Sequence, residues 1–572
     1  MCSKLFNKIM SIKKNNLTII ILLACLLLFS ILYIVINLEN IILAQAGDPY
    51  ATLYNLWRYK EGLSQPTYLF PEHSLFKFYS IIINWLTNEV STYNFLFIVY
   101  MFFSALPFYL IVKKITRSNI LGLMAGFLII LMPYRFVRSF QHLNLANIGF
   151  LGFLIYFLIL SREKNSWKNT SLVALFFVLT VLDSYIYGLF AGIILIMYLV
   201  IILVEYLKNK DKKMVVAGWT RSIVPFLIGL LVIGYFISPF IKDVLKKGND
   251  DNLTAARTRE LGELTTYSSY LGYYFIPPAD NPFLGKLAGD YYDDKVDELG
   301  TNTTEQINYL GYILMVLSAI YLIYFIKNYK AFDHITKFSV WFLVLIGAVG
   351  FYLSFSYPIY WFGIRINPLP DKFFSLAPFF RVYARFALLP FMSLAVLASL
   401  GVKIILDKIS NKNIKNMVFV GLIILICAEA LYLPKDAIQR VDWQAMPQVY
   451  KNIDCQKKDC AIAEYPFLPR ESPNGYEYVL WRRLHGMRLL NSYRDFEIDQ
   501  SVFDMVSDPN TNECYDLLKE RGVEYIIIHT KKYSEYTRTH PKEYNMGIVP
   551  EIDENKFIFV GKFGDDLLYR LK

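Results

Sequence analysis

Charged side chains are scarce in this sequence. Of its 572 residues only 19% are charged, whereas 55% are hydrophobic and 17% are aromatic, and the mean hydropathy is +0.36. Such a composition excludes an ordinary soluble globular protein and indicates a membrane protein with several spans. The net charge of +10 does not indicate a nucleic-acid partner, because lysine and arginine collect in the loops on one side of membrane proteins.

Cysteine is also scarce, with six residues in the whole chain. Cys25 and Cys427 lie within apolar segments, where a thiol usually packs. Cys455 and Cys460 stand close together, and a disulfide between them would suit an oxidising space, which leaves Cys514 as the odd thiol of the C-terminal segment. Cys2 is not an acylation site of the lipoprotein type, because no apolar region precedes it. A zinc site needs four ligands at close spacing, and the sequence therefore does not predict a metal site.

Apolar segments long enough to cross about 30 Å of hydrocarbon recur along the chain. We predict about eleven transmembrane helices, at residues 17–38, 92–112, 119–134, 146–160, 170–183, 186–207, 222–241, 309–326, 338–355, 386–402 and 416–433. Alternate loops between these segments are rich in lysine and arginine, whereas the long loops near 39–75 and 242–308 are richer in acids. The positive-inside rule then predicts a cytoplasmic N-terminus and an extracytoplasmic C-terminal segment in an integral cell membrane protein.

The character of the chain changes after about Leu433, because apolar runs become short and Pro, Gly and Asn become frequent. Strand candidates follow at 460–465, 523–529 and 557–560, and a helix is predicted from Asn512 to Arg521 with Gly522 as its C-cap. The predicted fold class is mainly α, a polytopic helical membrane protein with a small extracytoplasmic α/β domain. The boundaries are a transmembrane module at 1–433, with outer loops at about 39–91, 135–145, 242–308 and 356–385, and the α/β domain at 434–572.

The first outer loop carries Asp48 shortly after the first apolar segment. An uncompensated carboxylate at a bilayer edge is costly, which favours a functional role. Alternatively, Asp48 begins a short interfacial helix with Pro49 in its first turn. The same loop offers Glu72 and His73 before an aromatic, amphipathic stretch at 75–85, which is typical of a helix that lies in the headgroup plane.

Further polar residues fall at the predicted outer ends of spans. Arg135 and Arg138 could bind a substrate or snorkel to lipid headgroups, and His142 could be a general base or a structural histidine. Asp183 is a candidate acid at the membrane edge, although a tight turn also uses aspartate. Glu305 lies at the threshold of the next predicted span.

Arg381 and Arg385 are four residues apart in Phe380-Arg381-Val382-Tyr383-Ala384-Arg385-Phe386. On a helix this spacing puts both guanidinium groups on one face, where they would form a fork for phosphate oxygens. Interfacial anchoring is the alternative role. The long loop at 242–308 is rich in tyrosine and carboxylate and is typical of a lid or a binding loop.

An outer carboxylate and a basic pair together favour one chemistry. A carboxylate can take the proton of a hydroxyl while that hydroxyl displaces a phosphate-linked sugar, and this needs only a positioned base and stabilisation of the leaving group's charge. The membrane would hold a polyprenyl-phosphate tail, with the sugar and phosphate at the outer surface. The residues therefore predict lipid-linked glycosyl transfer.

These features resemble the membrane-embedded GT-C glycosyltransferases. The resemblance rests on Gly47-Asp48-Pro49, on the segment from Phe380 to Phe386, and on Glu464-Tyr465-Pro466-Phe467, Leu484-His485-Gly486 and Gly522-Val523-Glu524-Tyr525. It implies an inverting enzyme that uses a polyprenyl-phosphate sugar, with Asp48 as the catalytic base and a glycan, lipid or protein as the acceptor. The other candidate site residues would contact substrate: Glu72, His73, Arg138, His142, Asp183 and Glu305.

The sequence departs from that family at its first loop. Many relatives carry paired acids there, and in the oligosaccharyltransferase branch the second acid helps to hold a divalent metal, whereas Gly47 and Pro49 flank Asp48. We therefore expect no obligatory cofactor, although a divalent metal could bind, and no peptide-sequon acceptor. Two other classes stay open, a lipid-linked glycan polymerase or ligase and a flippase or transporter, of which the transporter should show polar residues deep in several spans and repeat symmetry.

Overall fold

The computed structural model describes residues 41–44, 48–61, 74–208, 223–224, 226–236, 238, 242, 264, 266–299, 303–355, 360–361, 364–365, 369–376, 380–432, 439–440, 446–455, 460–468, 473–492, 502, 505–506, 507–533 and 549–572. The chain divides into two compact units. The first unit comprises Met1–Leu38, Thr67–Tyr79 and Asn94–Ala437, and the second comprises Glu39–Pro66, Ser80–Tyr93 and Ile438–Lys572. This division differs from the predicted one, which grouped residues 39–91 with the membrane module.

Helices dominate the described chain. In chain order they are α1 (Asp48–Lys60), α2 (Ser74–Leu86), α3 (Glu89–Thr116), α4 (Asn119–Leu131), α5 (Pro133–Gln141), α6 (Leu143–Ala146), α7 (Gly149–Glu163), α8 (Trp167–Asp183), α9 (Tyr185–Lys208), α10 (Phe226–Phe236), α11 (Leu271–Phe275), α12 (Tyr291–Leu299), α13 (Thr303–Gln306), α14 (Tyr312–Lys327), α15 (His334–Ser354), α16 (Leu369–Leu376), α17 (Leu388–Asp407), α18 (Lys412–Ala430), α19 (Gln448–Lys451), α20 (Pro473–His485) and α21 (Asn512–Glu520).

Nine strands accompany these helices in the described residues. They are β1 (Ile41–Ile42), β2 (Tyr360–Trp361), β3 (Ile364–Arg365), β4 (Gln439–Arg440), β5 (Ala461–Tyr465), β6 (Arg488–Leu489), β7 (Val523–His529), β8 (Phe557–Phe563) and β9 (Asp566–Leu571). β2 and β3 form a short antiparallel hairpin in the first unit. The other strands belong to the second unit.

Within the described ranges, six helical segments are long and apolar enough to cross a membrane: Glu89–Thr116, Leu143–Glu163, Tyr185–Val204, His334–Ser354, Tyr383–Asp407 and Lys412–Ala430. The pair α4 and α5 would make a seventh span, bent by 49° at the break before Pro133. Helices lie in every predicted span segment except 17–38, which is outside the described residues. The protein is thus mostly helical with several candidate spans, and the total of eleven stays a prediction.

α17 is the most buried of the candidate spans and packs against α14 and α15 of the first unit. Gly401 on α17 lies against the backbone of α14, where a Cβ would stand 2.0 Å from the carbonyl oxygen of Leu317. Gly350 on α15 approaches α17 similarly, with 2.4 Å between an added Cβ and the Cβ of Leu389. Small residues allow such close approach of helix backbones, and this packing fixes the N-terminal end of α17, where Arg385 lies.

The core of the second unit is a five-stranded sheet in the order β6-β5-β7-β9-β8. β5 is parallel to β6 and β7, and β9 is antiparallel to β7 and β8. The predicted strands at 460–465, 523–529 and 557–560 are confirmed. So is the helix from Asn512, which Thr511 caps at its N-terminus and which is followed by Gly522 at φ +73°. The disulfide between Cys455 and Cys460 is present.

The first-loop helix α1 folds as part of this second unit. It packs against α20, and the buried side chain of Tyr54 joins a cluster that includes Ile462 on β5. β1 pairs with β4 in an antiparallel arrangement, and the Asn84 amide donates to the carbonyl oxygen of Leu56 at 2.8 Å. Residues next to the first apolar segment therefore share a core with residues near the C-terminus.

Candidate functional site

A buried carboxylate, Glu305, lies at the centre of a charged cluster in the first unit. It belongs to the short helix α13, before α14 begins. One carboxylate oxygen, Oε2, accepts from Nε of Arg138 at 3.2 Å, and the other, Oε1, accepts from Nε of Arg385 at 3.0 Å and also contacts its Nη2. Each oxygen of Glu305 thus serves a different arginine.

Arg138 is completely saturated by protein acceptors. Besides its bond to the Glu305 carboxylate, Nη2 donates to the Glu305 carbonyl oxygen at 2.9 Å and to Oδ1 of Asn308 at 3.2 Å. Nη1 donates to the carbonyl oxygens of Ile307 at 3.1 Å and Tyr134 at 3.3 Å. An arginine has five N–H donors, so Arg138 has none left for a substrate. Its predicted contact with substrate finds no support in this geometry.

Arg385 and His142 form the open side of the cluster. The side chain of Arg385 is 12% exposed and that of His142 is 23% exposed, compared with 4% for Glu305. Nε2 of His142 lies 3.4 Å from Nη2 of Arg385 and 3.7 Å from Oε1 of Glu305. Nη1 of Arg385 has no hydrogen-bond partner among the residues that the structure describes. The cluster therefore presents a guanidinium edge and an imidazole to solvent.

The charge on Glu305 is secured by its neighbours. Burial alone would raise the pKa of this carboxyl, but Arg385 and then Arg138 outweigh burial and hold the pKa of Glu305 well below its usual range. A carboxylate between two cations prefers its charged form because both attractions favour it. The two arginines therefore favour the ionised form of Glu305.

Arg135, the other arginine of α5, has a structural position. Its side chain is 1% exposed, and its five N–H groups donate only to backbone carbonyl oxygens. The acceptors are Tyr100 at 2.8 Å, Met101 at 3.4 Å, Ile129 at 3.3 Å, and Ala146 at 2.7 and 3.3 Å. These bonds fix α5 after its 49° bend. Neither Arg135 nor Arg138 snorkels outward, since both are buried in protein.

Arg381 does not share a helix face with Arg385, and the predicted spacing argument is wrong on this point. The helical backbone begins with a 3-10 turn at Tyr383–Ala387, so Arg381 precedes it. The Ala384 N–H donates to the Tyr267 carbonyl oxygen at 2.9 Å, which diverts the backbone from a helical bond at this point. The guanidinium of Arg381 lies 4.9 Å from the centre of the Tyr267 ring, a cation–π contact.

Asp183 is the last residue of α8 and is buried in the first unit. Its Oδ2 accepts from the Asn147 amide at 2.9 Å, and its Oδ1 accepts from the hydroxyl of Tyr79, which in turn accepts from Tyr100. These partners are neutral, so Asp183 is a buried acid held by a hydrogen-bond chain. Its role in substrate binding stays a prediction.

Asp48 begins α1, with Pro49 as the second helical residue, as the structural alternative predicted. Its side chain is half-buried. Asp48 belongs to the second unit, whereas the Glu305 cluster belongs to the first. Glu72 and His73 lie outside the described residues.

Sequence reasoning missed a second charged cluster, in the second unit. His529, at the end of β7, lies between two carboxylates, with 2.7 Å from Nδ1 to Oδ1 of Asp566 and 3.1 Å from Nε2 to Oε2 of Glu464. Burial lowers the pKa of His529, but both carboxylates outweigh this and raise it above the ordinary histidine value. Glu464 lies one residue before the end of one predicted strand and His529 ends another, which was the available signal, and the structure makes these two strands neighbours.

Among the described residues, no three His, Cys, Asp or Glu side chains converge as metal ligands. The expectation of no obligatory metal stays a prediction.

Comparison with solved structures shows which proteins have a fold similar to that of this chain. The chain is similar to the mycobacterial arabinofuranosyltransferase AftD, with a TM-score of 0.50 and 12% identity over 95% of this chain and 41% of that one. It also matches the oligosaccharyltransferase of Archaeoglobus fulgidus, with a TM-score of 0.49 and 12% identity over 94% and 74% of the two chains. A further structure of that archaeal enzyme, AglB in complex with an inhibitory peptide and a dolichol-phosphate, gives 0.47 and 12% over 89% and 71%.

No curated protein sequence matches the chain. A family model described as "Domain of unknown function (DUF6311)" matches residues 75–428, a stretch that contains α3 to α17 and the whole Glu305 cluster. Because this match covers more than half of the sequence, the chain belongs to that family of unknown function.

Proposed function

We propose that this chain is an inverting membrane glycosyltransferase that moves a sugar from a polyprenyl-phosphate carrier to an acceptor hydroxyl at the outer face of the membrane. The observation that carries the proposal is Arg385, a guanidinium that Glu305 orients at the more exposed side of the cluster, beside His142. Such a guanidinium matches the oxygens of a phosphate. The fold similarity to AftD, a protein named as an arabinofuranosyltransferase, is compatible with this chemistry.

Asp48 is the proposed general base. Its carboxylate takes the proton of the acceptor hydroxyl as the hydroxyl oxygen forms a bond to the anomeric carbon of the sugar. The bond from that carbon to the phosphate oxygen breaks, and its electron pair leaves with the polyprenyl phosphate. A positioned base contributes roughly 10²- to 10⁴-fold to rate, and attack opposite the leaving group inverts the anomeric configuration.

Arg385 is the proposed partner of the leaving phosphate. The phosphate gains negative charge as the bond to the sugar breaks, and a cation fixed before the reaction stabilises that charge without reorganising. Arg138 supports this role indirectly, because two of its five hydrogen bonds fix Glu305, which in turn orients Arg385. No step in this scheme requires a metal.

The proposed location of the chemistry is extracytoplasmic. The asymmetry of basic loops favours a cytoplasmic N-terminus, and the disulfide between Cys455 and Cys460 suits an oxidising compartment for the second unit. Membrane lipid and a lipid-linked sugar are then the partners on the donor side, with a glycan, lipid or protein hydroxyl on the acceptor side.

Transfer of label tests this proposal. Membranes that contain the protein would be incubated with a panel of radiolabelled polyprenyl-phosphate sugars, and extraction would separate the carrier from the product. We expect Asp48→Asn to lower transfer by about 10²-fold or more, because the amide cannot accept the proton.

The matched control is Asp516→Asn, which removes the same charge from an exposed position on α21 in the same unit. This control should transfer sugar at the wild-type rate. Equal transfer by Asp48→Asn and wild type, at equal protein level, would remove Asp48 from the role of base. Absence of transfer from every donor by the wild-type protein would count against the enzyme assignment.

A further inference from the structure

In the structure, the anion-binding edge of Arg385 already faces an anion that belongs to the protein. Oε1 of Glu305 accepts from Nε of Arg385 at 3.0 Å and contacts Nη2, the same two groups that would grip a phosphate. His142 approaches the same oxygen at 3.7 Å. A carboxylate bound to one edge of a guanidinium resembles, in charge and geometry, a phosphate bound there.

The two oxygens of Glu305 are unequally committed. Oε2 faces Arg138, whose other four N–H donors are bonded to Tyr134, Asn308 and the backbone around Glu305 itself. Oε1 faces Arg385 and His142 at the exposed side. Glu305 can therefore release Arg385 and still keep Arg138 as a partner. A buried carboxylate without any partner would be costly, and an incoming anion does not create one here.

We propose that Glu305 is an internal counter-ion of the donor site, and that the phosphate of the lipid carrier replaces its Oε1 on Arg385 and His142 while Oε2 stays on Arg138. This inference rests on the proposed function, and it assigns His142, rather than Arg381, as the second group on the phosphate. Glu305 is a positioning residue in this scheme, because it acts through Arg385.

Protonation cannot open the site, because the two arginines hold the pKa of Glu305 well below its usual range. Displacement is therefore the available route. The cluster has two guanidinium groups and one carboxylate, so it retains a surplus positive charge that attracts an anion. A singly charged carboxylate or chloride gains little by replacing Glu305, whereas the phosphate of the carrier brings more acceptor oxygens and, once the sugar has left and it is a monoester, more charge. The internal counter-ion thereby makes the site selective.

Binding of a prenyl phosphate that carries no sugar tests the inference without any transfer reaction. The full chain would be placed in nanodiscs of zwitterionic lipid, and binding of farnesyl phosphate would be measured by calorimetry. We expect Glu305→Gln to bind farnesyl phosphate about ten-fold or more tightly than wild type, because the repulsion between the carboxylate and the incoming phosphate is removed. The glutamine oxygen can still accept from Arg138, which limits the cost to folding.

Glu429→Gln is the matched control. Glu429 is a buried carboxylate of the same unit that accepts from the Tyr309 hydroxyl at 2.7 Å and from the backbone N–H of Ile313 at 2.9 Å, and no described arginine bonds to it. Its substitution removes one buried negative charge without touching Arg385, so the affinity for farnesyl phosphate should stay at the wild-type value. Equal tightening in both variants would show a non-specific effect of net charge and overturn the inference.

Glu305→Asp provides a second variant if the glutamine variant is unstable. The side chain is shorter by one methylene, so its carboxylate can stay near Arg138 but retreats from Arg385, and we expect intermediate tightening. Adding His142→Gln or Arg385→Gln to Glu305→Gln should reverse the gain. Unchanged or weaker binding in Glu305→Gln, with a wild-type melting temperature, would show that Glu305 helps to bind the phosphate, which overturns the counter-ion role.

Inorganic phosphate distinguishes the source of the anion. If inorganic phosphate competes with farnesyl phosphate only at concentrations far above that of the lipid, the site prefers a phosphate attached to a lipid. Competition at equal concentrations would overturn the assignment to the carrier. The outcomes also separate the two proposals. If Glu305→Gln binds farnesyl phosphate more tightly but no form of the protein transfers sugar, the inference stands and the proposed function is wrong. If the protein transfers sugar but Glu305→Gln does not bind more tightly, the proposed function stands and the inference is wrong.

Discussion

In the first unit one carboxylate, Glu305, lies between two guanidinium groups, whereas in the second unit one imidazole, His529, lies between two carboxylates. The two clusters are built alike, from a central charge with a partner on each side at 2.7 to 3.2 Å. Their sums of charge are opposite, since the first has surplus positive charge and the second surplus negative charge when His529 is protonated.

The clusters also differ in how completely they are enclosed. Around His529, the Tyr450 hydroxyl donates to Glu464 at 3.0 Å and the Tyr478 ring stacks on the imidazole at 5.1 Å between centroids. Glu464 is fully buried. Around Glu305, one arginine is closed off by five bonds, but the other keeps an exposed edge beside His142.

This difference separates a structural ion cluster from a binding site. A buried charged group whose partners are all internal depends on them, and removing one partner is costly. A charged group that is held on one side and open on the other can exchange its partner for a ligand. In the Glu305 cluster, one carboxylate binds an enclosed arginine, Arg138, and a more exposed one, Arg385. A structural ion pair and a binding group can therefore be compared within a single site.

The largest expected effect comes from Arg138. Arg138→Ala should destabilise the first unit by about 3–5 kcal/mol, since it removes one partner of a buried ion pair and four further hydrogen bonds. Arg385→Ala, at the more exposed side of the same carboxylate, should lose less stability, because Glu305 keeps Arg138, but should abolish measurable binding of farnesyl phosphate. Thermal unfolding and calorimetry on the same samples check both values. If the two variants lost stability equally, Arg385 would be as structural as Arg138.

An intermediate effect is expected from His529 and depends on pH. The pKa of His529 is raised in the folded protein, so its protonated form stabilises the fold fully below the unfolded value of about 6.5 and this contribution is lost as pH rises through the folded pKa. His529→Asn should therefore weaken hydrogen-exchange protection of β5 and β7 strongly at pH 6 and less at pH 9.

His485 supplies the contrast within the same unit. Burial, and then Arg482, lower the pKa of His485 to about 3, so the folded protein keeps it neutral and its contribution to stability is lost as pH falls below about 6.5. The loss of stability in His485→Asn, relative to wild type, should therefore become smaller as pH falls. In His529→Asn the loss of stability should become larger as pH falls. The same pH trend in both variants would contradict the assigned charge of one histidine.

The sequence predicted local structure well and pairing poorly. Hydropathy located the helices, and β-branched runs located β5, β7 and β8. Such elements can be predicted because their buried residues recur at a regular spacing in the sequence. The disulfide was also predictable, because only two cysteines outside the apolar segments stand close together. By contrast, β1 pairs with β4 and α1 packs on α20, and contacts between such distant parts of the chain leave no periodic signal.

The site illustrates the same limit. Glu305, Arg138, His142 and Arg385 were each predicted as candidate site residues from their position at the ends of spans, but nothing in the sequence indicated that Glu305 pairs with Arg385. Position at a boundary indicates that a charge is tolerated there, whereas the choice of partner depends on how the helices pack. The spacing of Arg381 and Arg385 was misleading for a related reason, since four residues put side chains on one face only where a helix has begun.

The smallest expected effect belongs to Arg381 and gives the sharpest test of that difference. Arg381 lies before the 3-10 turn and over the Tyr267 ring at 4.9 Å, a contact worth about 0.5–1 kcal/mol at an accessible position. Arg381→Gln should therefore change the affinity for farnesyl phosphate by less than about three-fold and lower stability slightly, whereas Arg385→Gln should lose binding. Calorimetry on the two variants in parallel decides between a site made by Arg385 with His142 and one made by two arginines. Loss of binding in Arg381→Gln comparable to that in Arg385→Gln would restore the fork that the spacing suggested, and it would mean that Arg381 leaves Tyr267 when phosphate arrives.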